Sequence, residues 1–179
     1  MASSSKSLRV GILSHLEVIE KMNQLEDEVK NVLNEPQSVL RLLLHNFKWE
    51  KKTLLDDLSK DRNATLKLVK SSEFEGHNVS PVHVTGSCQI CYSTITERAV
   101  VKDGPLCGHP FCKDCWFQYL SIQISVNEKC IGLECPMTNC KSLVEDPLIV
   151  NVFTKFPHIV SSYRKLLCTS FINRSSNLR

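Results

Sequence analysis

Seven cysteines and one histidine are spaced as Cys88-x2-Cys91-x15-Cys107-x-His109-x2-Cys112-x2-Cys115-x19-Cys135-x4-Cys140. Thiolate and imidazole are the ligands zinc prefers, four to an ion in a tetrahedron, and a C-x2-C knuckle lets two thiolates converge on one ion without strain. Eight such ligands make two complete sets. A set filled entirely by protein has no open position for water or substrate, so these zincs are structural and no zinc-bound catalytic residue is expected. The stretch from Cys88 to Cys140 holds few large apolar side chains. It is too small to build an adequate core, and metal binding supplies the missing folding energy.

A disulfide framework is the competing use of clustered cysteines, and compartment separates the two. The first 87 residues contain no cysteine, and the opening MASSSKSLRVGILSHLEV has only the short apolar stretch Val10 to Leu13, so no secretory leader is expected. Zinc is therefore the better reading, and Asn63, Asn78 and Asn173 are not expected to be glycosylated. The two remaining cysteines, Cys130 and Cys168, lack a neighbouring histidine or activating motif, and neither is expected to act as a nucleophile.

The elements around the cluster are helical. Val18, Ile19, Met22, Leu25, Val29, Val32 and Leu33 recur every three or four positions and mark one amphipathic helix, which Asn34 and Pro36 end. A strongly apolar segment from Ser38 to Phe47 makes a second helix, and Leu54, Leu55 and Leu58 mark a third, closed by Ser59 to Asn63. Leu66 to Val69 adds a helical turn, and residues 71–87, rich in Ser, Gly, Pro and Asn, read as a linker. After the cluster, Asp146-Pro147 resembles a helix cap with proline at the first helical position. Phe156-Pro157 interrupts that helix, and Ile159, Tyr163, Leu166, Leu167 and Phe171 mark a final one. With 179 residues, 42% hydrophobic and 23% charged, wholesale disorder and collagen-like architecture are excluded. No apolar run is long enough to span a membrane.

The order of ligand types, three Cys, one His, then four Cys, resembles the RING family. That resemblance implies a cross-brace: Cys88, Cys91, Cys112 and Cys115 on one zinc, and Cys107, His109, Cys135 and Cys140 on the other. More closely, SCQICY, CGHPFCKDCWFQYL, ECPMTNC and SLVEDPLIV resemble the first RING of the Ariadne family of RING-between-RING ubiquitin ligases. SVLRLLLHNFKWEKKTLL is similar to that family's ubiquitin-associated-like domain, and SYRKLLCTSFI to the helical extension after its first RING. The expected architecture is mainly α with a small zinc-stabilised α+β module. A flexible N-terminus (1–15) precedes a ubiquitin-associated-like helical domain (16–70). A linker (71–87), a first RING (88–140) and a helical extension (141–179) complete it. On the same resemblance, the in-between-RING domain and the relay-cysteine domain lie outside this chain.

The resemblance implies recruitment of a ubiquitin-charged conjugating enzyme, with ubiquitin and conjugating enzyme as partners and Ile90, Tyr119 and Pro136 as contacts. Lys141, just past the last ligand, stands where many RINGs carry a cation that clamps ubiquitin, although the family's first RING usually avoids one. Leu43, His45, Phe47 and Trp49 match positions that engage the ubiquitin-like modifier of activated cullins, although each suits a core better than a surface. Glu50 replaces the family's usual Asp and is the poorer cap for the third helix. The competing functions are a non-catalytic adaptor or competitive inhibitor, and a nucleic-acid binder suggested by the formal charge of +3. The last is undercut because two zinc dications and seven ligating thiolates bring the chain to about neutral. No nucleic acid or membrane partner is expected, and the cytoplasm, then the nucleus, is the expected location.

Overall fold

The computed structural model describes residues 14–69, 86–95 and 107–175. The expected flexible N-terminus and linker therefore lie outside the described residues, apart from Ser14, His15, Gly86 and Ser87. Helices α1 (His15–Lys30), α2 (Gln37–Asn46) and α3 (Lys51–Lys60) follow the apolar periodicity, except that α1 ends at Lys30, before Val32 and Leu33 and short of the expected stop at Asn34 and Pro36. Ser14 starts α1 with a capping box: its hydroxyl accepts the Glu17 N–H at 3.3 Å while its own N–H donates to the Glu17 carboxylate at 2.6 Å. Val18, Met22 and Val29 form the buried stripe of α1, and Val39, Leu40, Leu43 and Leu44 that of α2.

The third helix does not fade out across Ser59 to Asn63. It breaks at Asp61, where α4 (Arg62–Lys67) begins at once, because extended backbone at Asp61 lets its carboxylate accept the Ala64 N–H at 2.9 Å. Glu50 caps α3 with no side-chain bond to the helix amides, and its carboxylate accepts the Thr53 hydroxyl at 3.1 Å instead.

Strands β1 (Gly86–Ser87) and β2 (Thr94–Ile95) pair antiparallel, Gly86 opposite Ile95, and α5 (Lys113–Ser125) follows in the zinc module. Then come α6 (Asp146–Val152) and α7 (Pro157–Arg174), separated by the expected proline break. Phe117 of α5 packs against Phe153 and Phe156 at that break, with ring centroids 5.4 and 4.9 Å apart. Helix α7 turns back along α1 and α5 and buries Ile159, Tyr163, Leu167 and Phe171. Phe171 meets Trp49 edge-on at 4.7 Å. Lys48 and Trp49 both take left-handed backbone, φ 54° and 61°. That conformation is unfavourable for bulky residues, and the complete burial of the Trp49 ring against Phe171 holds it in place.

Asp146 is not the cap of α6; Glu145 takes that position. The Asp146 carboxylate is drawn instead to Arg41, whose side chain is 4% exposed. Arg41 binds Glu26 of α1 through Nε at 2.6 Å and Nη2 at 3.2 Å, and Asp146 through Nη1 at 2.7 Å and Nη2 at 3.0 Å. The Tyr163 hydroxyl donates to Asp146 at 2.7 Å, and Gln37 donates to Glu26 at 2.6 Å. Ser38 completes the join: its N–H donates to the Glu145 carboxylate at 3.2 Å, and its hydroxyl donates to the same group. Four helices thus meet on one guanidinium. Burial opposes charge on Asp146, yet Arg41 more than offsets it and holds the carboxyl below its ordinary range. The stability tied to that depressed value is present above the ordinary range and is lost as pH falls through the lowered one.

Removing one partner of such a buried cluster leaves uncompensated charge. Arg41→Ala is expected to destabilise the zinc-loaded chain by about 3 to 5 kcal/mol in equilibrium denaturation. Lys51→Ala, which deletes a surface pair with Glu28, should leave the midpoint nearly unchanged. Equal small effects from both would remove the cluster from its central place.

Candidate metal centre

The first ligand pair sits in a tight knuckle. The Cys88 N–H donates to the Ser93 carbonyl at 2.9 Å and the Tyr92 N–H to the Cys88 carbonyl at 2.8 Å, with Tyr92 in left-handed backbone at φ 59°. The β1–β2 pair closes this loop behind the sulfurs. The second pair comes from the start of α5, where Cys112 is the cap and Cys115 lies one turn on, so both thiols face the same way. The Cys115 N–H points at the Cys112 sulfur at 3.5 Å, and a helix N-terminus favours negative charge there.

In the other group, Gly108 takes φ 67° between Cys107 and His109, a conformation glycine adopts without strain. Cys135 and Cys140 project from a loop closed by the Cys135 N–H to Ser142 carbonyl bond at 2.8 Å and by the Glu134–Leu143 bridge.

The eight residues gather into two sets, Cys88, Cys91, Cys112 and Cys115, and Cys107, His109, Cys135 and Cys140. Within each set the ligand atoms lie within 4.8 Å of one another. Tetrahedral zinc with bonds of about 2.0 to 2.3 Å needs sulfur–sulfur edges of about 3.8 Å and sulfur–nitrogen edges of about 3.6 Å. Cys91 and Cys112 sulfurs are 3.7 Å apart, and Cys135 Sγ is 3.6 Å from His109 Nδ1.

The thiols themselves call for a cation. Hydrogen bonds from Ser93, its side chain first, pull Cys91 down to about 6, whereas burial pushes Cys115 up. A hydrogen bond from Cys135 pulls Cys107 down and pushes Cys135 up in return. Thiolates this close do not all ionise beside one another unless a dication joins them. Each set fits one zinc ion in a closed, structural site.

Two family models match. The UBA-like domain of E3 ubiquitin-protein ligase ARIH1 matches residues 20–58, and the C3HC4-type zinc finger, the RING finger, matches residues 87–130. E3 ubiquitin-protein ligase ariadne-1 of Drosophila melanogaster is 28% identical over 180 residues, covering 94% of this chain and 34% of that protein. Ari-1.1 of Caenorhabditis elegans is 29% identical, covering 94% and 33%, and ARIH1 of Homo sapiens is 27% identical, covering 92% and 30%. Both matched domains, in this order, occur within one continuous similarity to Ariadne proteins. The chain is similar to Ariadne proteins over nearly its whole length. It spans about a third of the length of the curated relatives it matches.

The match to the RING finger stops at Cys130, and the structure supplies the last two ligands, Cys135 and Cys140. Ile90 lies in the first knuckle, between Cys88 and Cys91, and is 46% exposed. Pro136 follows Cys135 on the second zinc loop and is half-buried. Tyr119 faces inward: its hydroxyl donates to the Glu134 carbonyl at 2.8 Å, and its ring meets Trp116, which is buried against Phe111. Lys141 is exposed and pairs with Glu134 at 3.2 Å. Leu43 and Trp49 are fully buried, and His45 and Phe47 are half-buried.

Cys130 and Cys168 are buried; burial pushes the Cys130 thiol up to about 11 and raises that of Cys168. The Arg41 cluster escaped the sequence reading, although two signals were present. Glu26 falls on the apolar stripe of α1, four residues after Met22, and Arg41 interrupts the run Val39 to Leu44.

A chromophoric chelator should release two zinc ions per chain from the native protein, whereas Cys115→Ser should leave one tightly held ion. Loss of both ions in that variant at neutral pH would show that the two sets do not hold metal independently.

Proposed function

We propose that this chain recruits a ubiquitin-charged conjugating enzyme through its RING and serves the ubiquitin-ligase activity for which its Ariadne relatives are named. Ile90 carries the reading. It is a large apolar side chain held in a rigid metal knuckle and left in water, which is the character of an anchor for a transient partner. Pro136, on the second zinc loop, suits the same groove. Tyr119 is better read as a brace for that loop than as a contact, because its hydroxyl is already engaged by the Glu134 carbonyl.

The zinc sites have no open coordination position, so the metal has no catalytic part. Of the nine cysteines, the two that are not ligands are buried with raised thiol pKa values, which suits neither for a ubiquitin thioester. The chain's own contribution is therefore docking. Lys141, exposed and paired with Glu134, is the candidate side chain for a ubiquitin contact. Activated cullins are a second partner class. For their ubiquitin-like modifier, His45 and Phe47 are the accessible candidates, since Leu43 and Trp49 belong to the core. The cytoplasm, with access to the nucleus, is where this role would be carried out.

Ile90→Ala should keep two zinc ions and weaken binding of a ubiquitin-loaded conjugating enzyme by about 1 to 2 kcal/mol, measured by calorimetry. Unchanged affinity would take Ile90 out of the interface. Cys130→Ser and Cys168→Ser should leave discharge of the loaded enzyme unaltered, with free lysine and free cysteine offered as separate acceptors. A loss of transfer in either variant would make that cysteine the relay nucleophile.

A further inference from the structure

The second zinc loop runs from Cys130 to Val144 and has a tip and a base. At the tip, zinc would fix Cys135 and Cys140 relative to Cys107 and His109. Its middle is laced internally: the Val144 N–H donates to the Leu133 carbonyl at 2.8 Å, Cys135 to Ser142 at 2.8 Å, and Tyr119 holds Glu134. None of these bonds says where the loop stands on the rest of the molecule.

Both feet of the loop stand on one helix of the ubiquitin-associated-like bundle. The first foot is Gly132, at φ 65°, where a methyl group in place of its hydrogen would lie 3.5 and 3.8 Å from the two δ-carbons of Leu42. The second foot is the pair just past Val144. Glu145 receives the Ser38 N–H and hydroxyl, and Asp146 is gripped by two nitrogens of Arg41. Ser38, Arg41 and Leu42 all belong to α2. The contacts are of different kinds, an aliphatic side chain under a glycine at one foot and a desolvated charge cluster at the other. They converge on the loop that carries Pro136.

We infer that α2 sets the position of the second zinc loop, with Arg41 and Leu42 as positioning residues for the conjugating-enzyme groove. The consequence for binding rests on the recruitment reading above, whereas the consequence for the loop does not. Zinc shapes the tip, and α2 orients it. The bundle is then a working part of the groove, not a module tethered beside it.

The test uses the full zinc-loaded chain. Leu42→Ala empties the space under Gly132, and Leu42→Met refills it with an unbranched side chain of similar volume. A second variant, E26Q/R41M/D146N, replaces the charge cluster by neutral groups and avoids leaving a buried charge alone. Each is measured for zinc content, thermal midpoint, amide hydrogen exchange and affinity for a ubiquitin-loaded conjugating enzyme, with Ile90→Ala alongside.

For Leu42→Ala and the triple variant we expect two zinc ions and exchange at least about tenfold faster in residues 131–144 than in native protein. Exchange in the Cys88–Cys91 knuckle should be unchanged in both variants and exchange in α1 unchanged in Leu42→Ala, affinity should fall about fivefold, and Leu42→Met should restore both readouts. Uniform acceleration throughout the chain would mean general loosening and would overturn the inference. So would native exchange in residues 131–144. If Ile90→Ala weakens binding while both other variants bind normally, the groove is real but independent of α2. If selective loop exchange appears while Ile90→Ala binds normally, the recruitment reading fails and the positioning of the loop stands.

Discussion

A guanidinium removed from water must be matched by anionic oxygens in the right plane, and in this protein that requirement governs which parts touch. Arg41 reaches two carboxylates, both in bidentate fashion, and they come from chain segments on either side of the zinc module. Apolar surfaces tolerate sliding, because dispersion and water exclusion have little directionality. Fork-to-fork hydrogen bonds tolerate almost none. The packing of α1 along α7 and the Trp49–Phe171 ring contact supply the cohesion between bundle and extension, and the arginine fixes their register.

Metal and charge divide the work. The zinc module is short of apolar core, and its two ligand sets interlock so that the ions stand in for the missing interior. Fixing ligands to one another does not attach a module to its neighbours. That attachment falls to Phe117 against Phe153 and Phe156, to Leu42 beneath Gly132, and to the charge cluster. The RING helix α5 therefore belongs at once to a metal centre and to an ordinary helical core.

The ligands and the main helices were legible in the sequence because their signals are local: soft donors at fixed spacings, and apolar residues at helical period. The cluster was not legible for the opposite reason. Ser38 and Glu145 lie 107 positions apart, Arg41 and Asp146 lie 105 apart, and Arg41 and Tyr163 lie 122 apart. An aspartate before a proline reads as a cap, and only the arriving arginine reveals that it serves another purpose. Asp61 shows the same on a smaller scale, since the polar run Ser59 to Asn63 looks like an ending while the Asp61 carboxylate begins a new helix. Tyr119 shows the limit for the site as well: an aromatic four residues past a ligand suits either a surface or a brace, and no local signal announces its hydroxyl partner, the Glu134 carbonyl.

The carboxylate that satisfies the first turn of α2 belongs to Glu145. On the ribosome, Ser38 precedes it by 107 residues, which at about 5 to 20 residues per second is a delay of about 5 to 20 s. Throughout that interval Arg41 has Glu26 as counter-ion but neither Asp146 nor Tyr163, and Trp49 has no Phe171 to lie against. Helices α1 and α2 are thus completed only when α7 arrives, and the nascent chain carries an open apolar face until then.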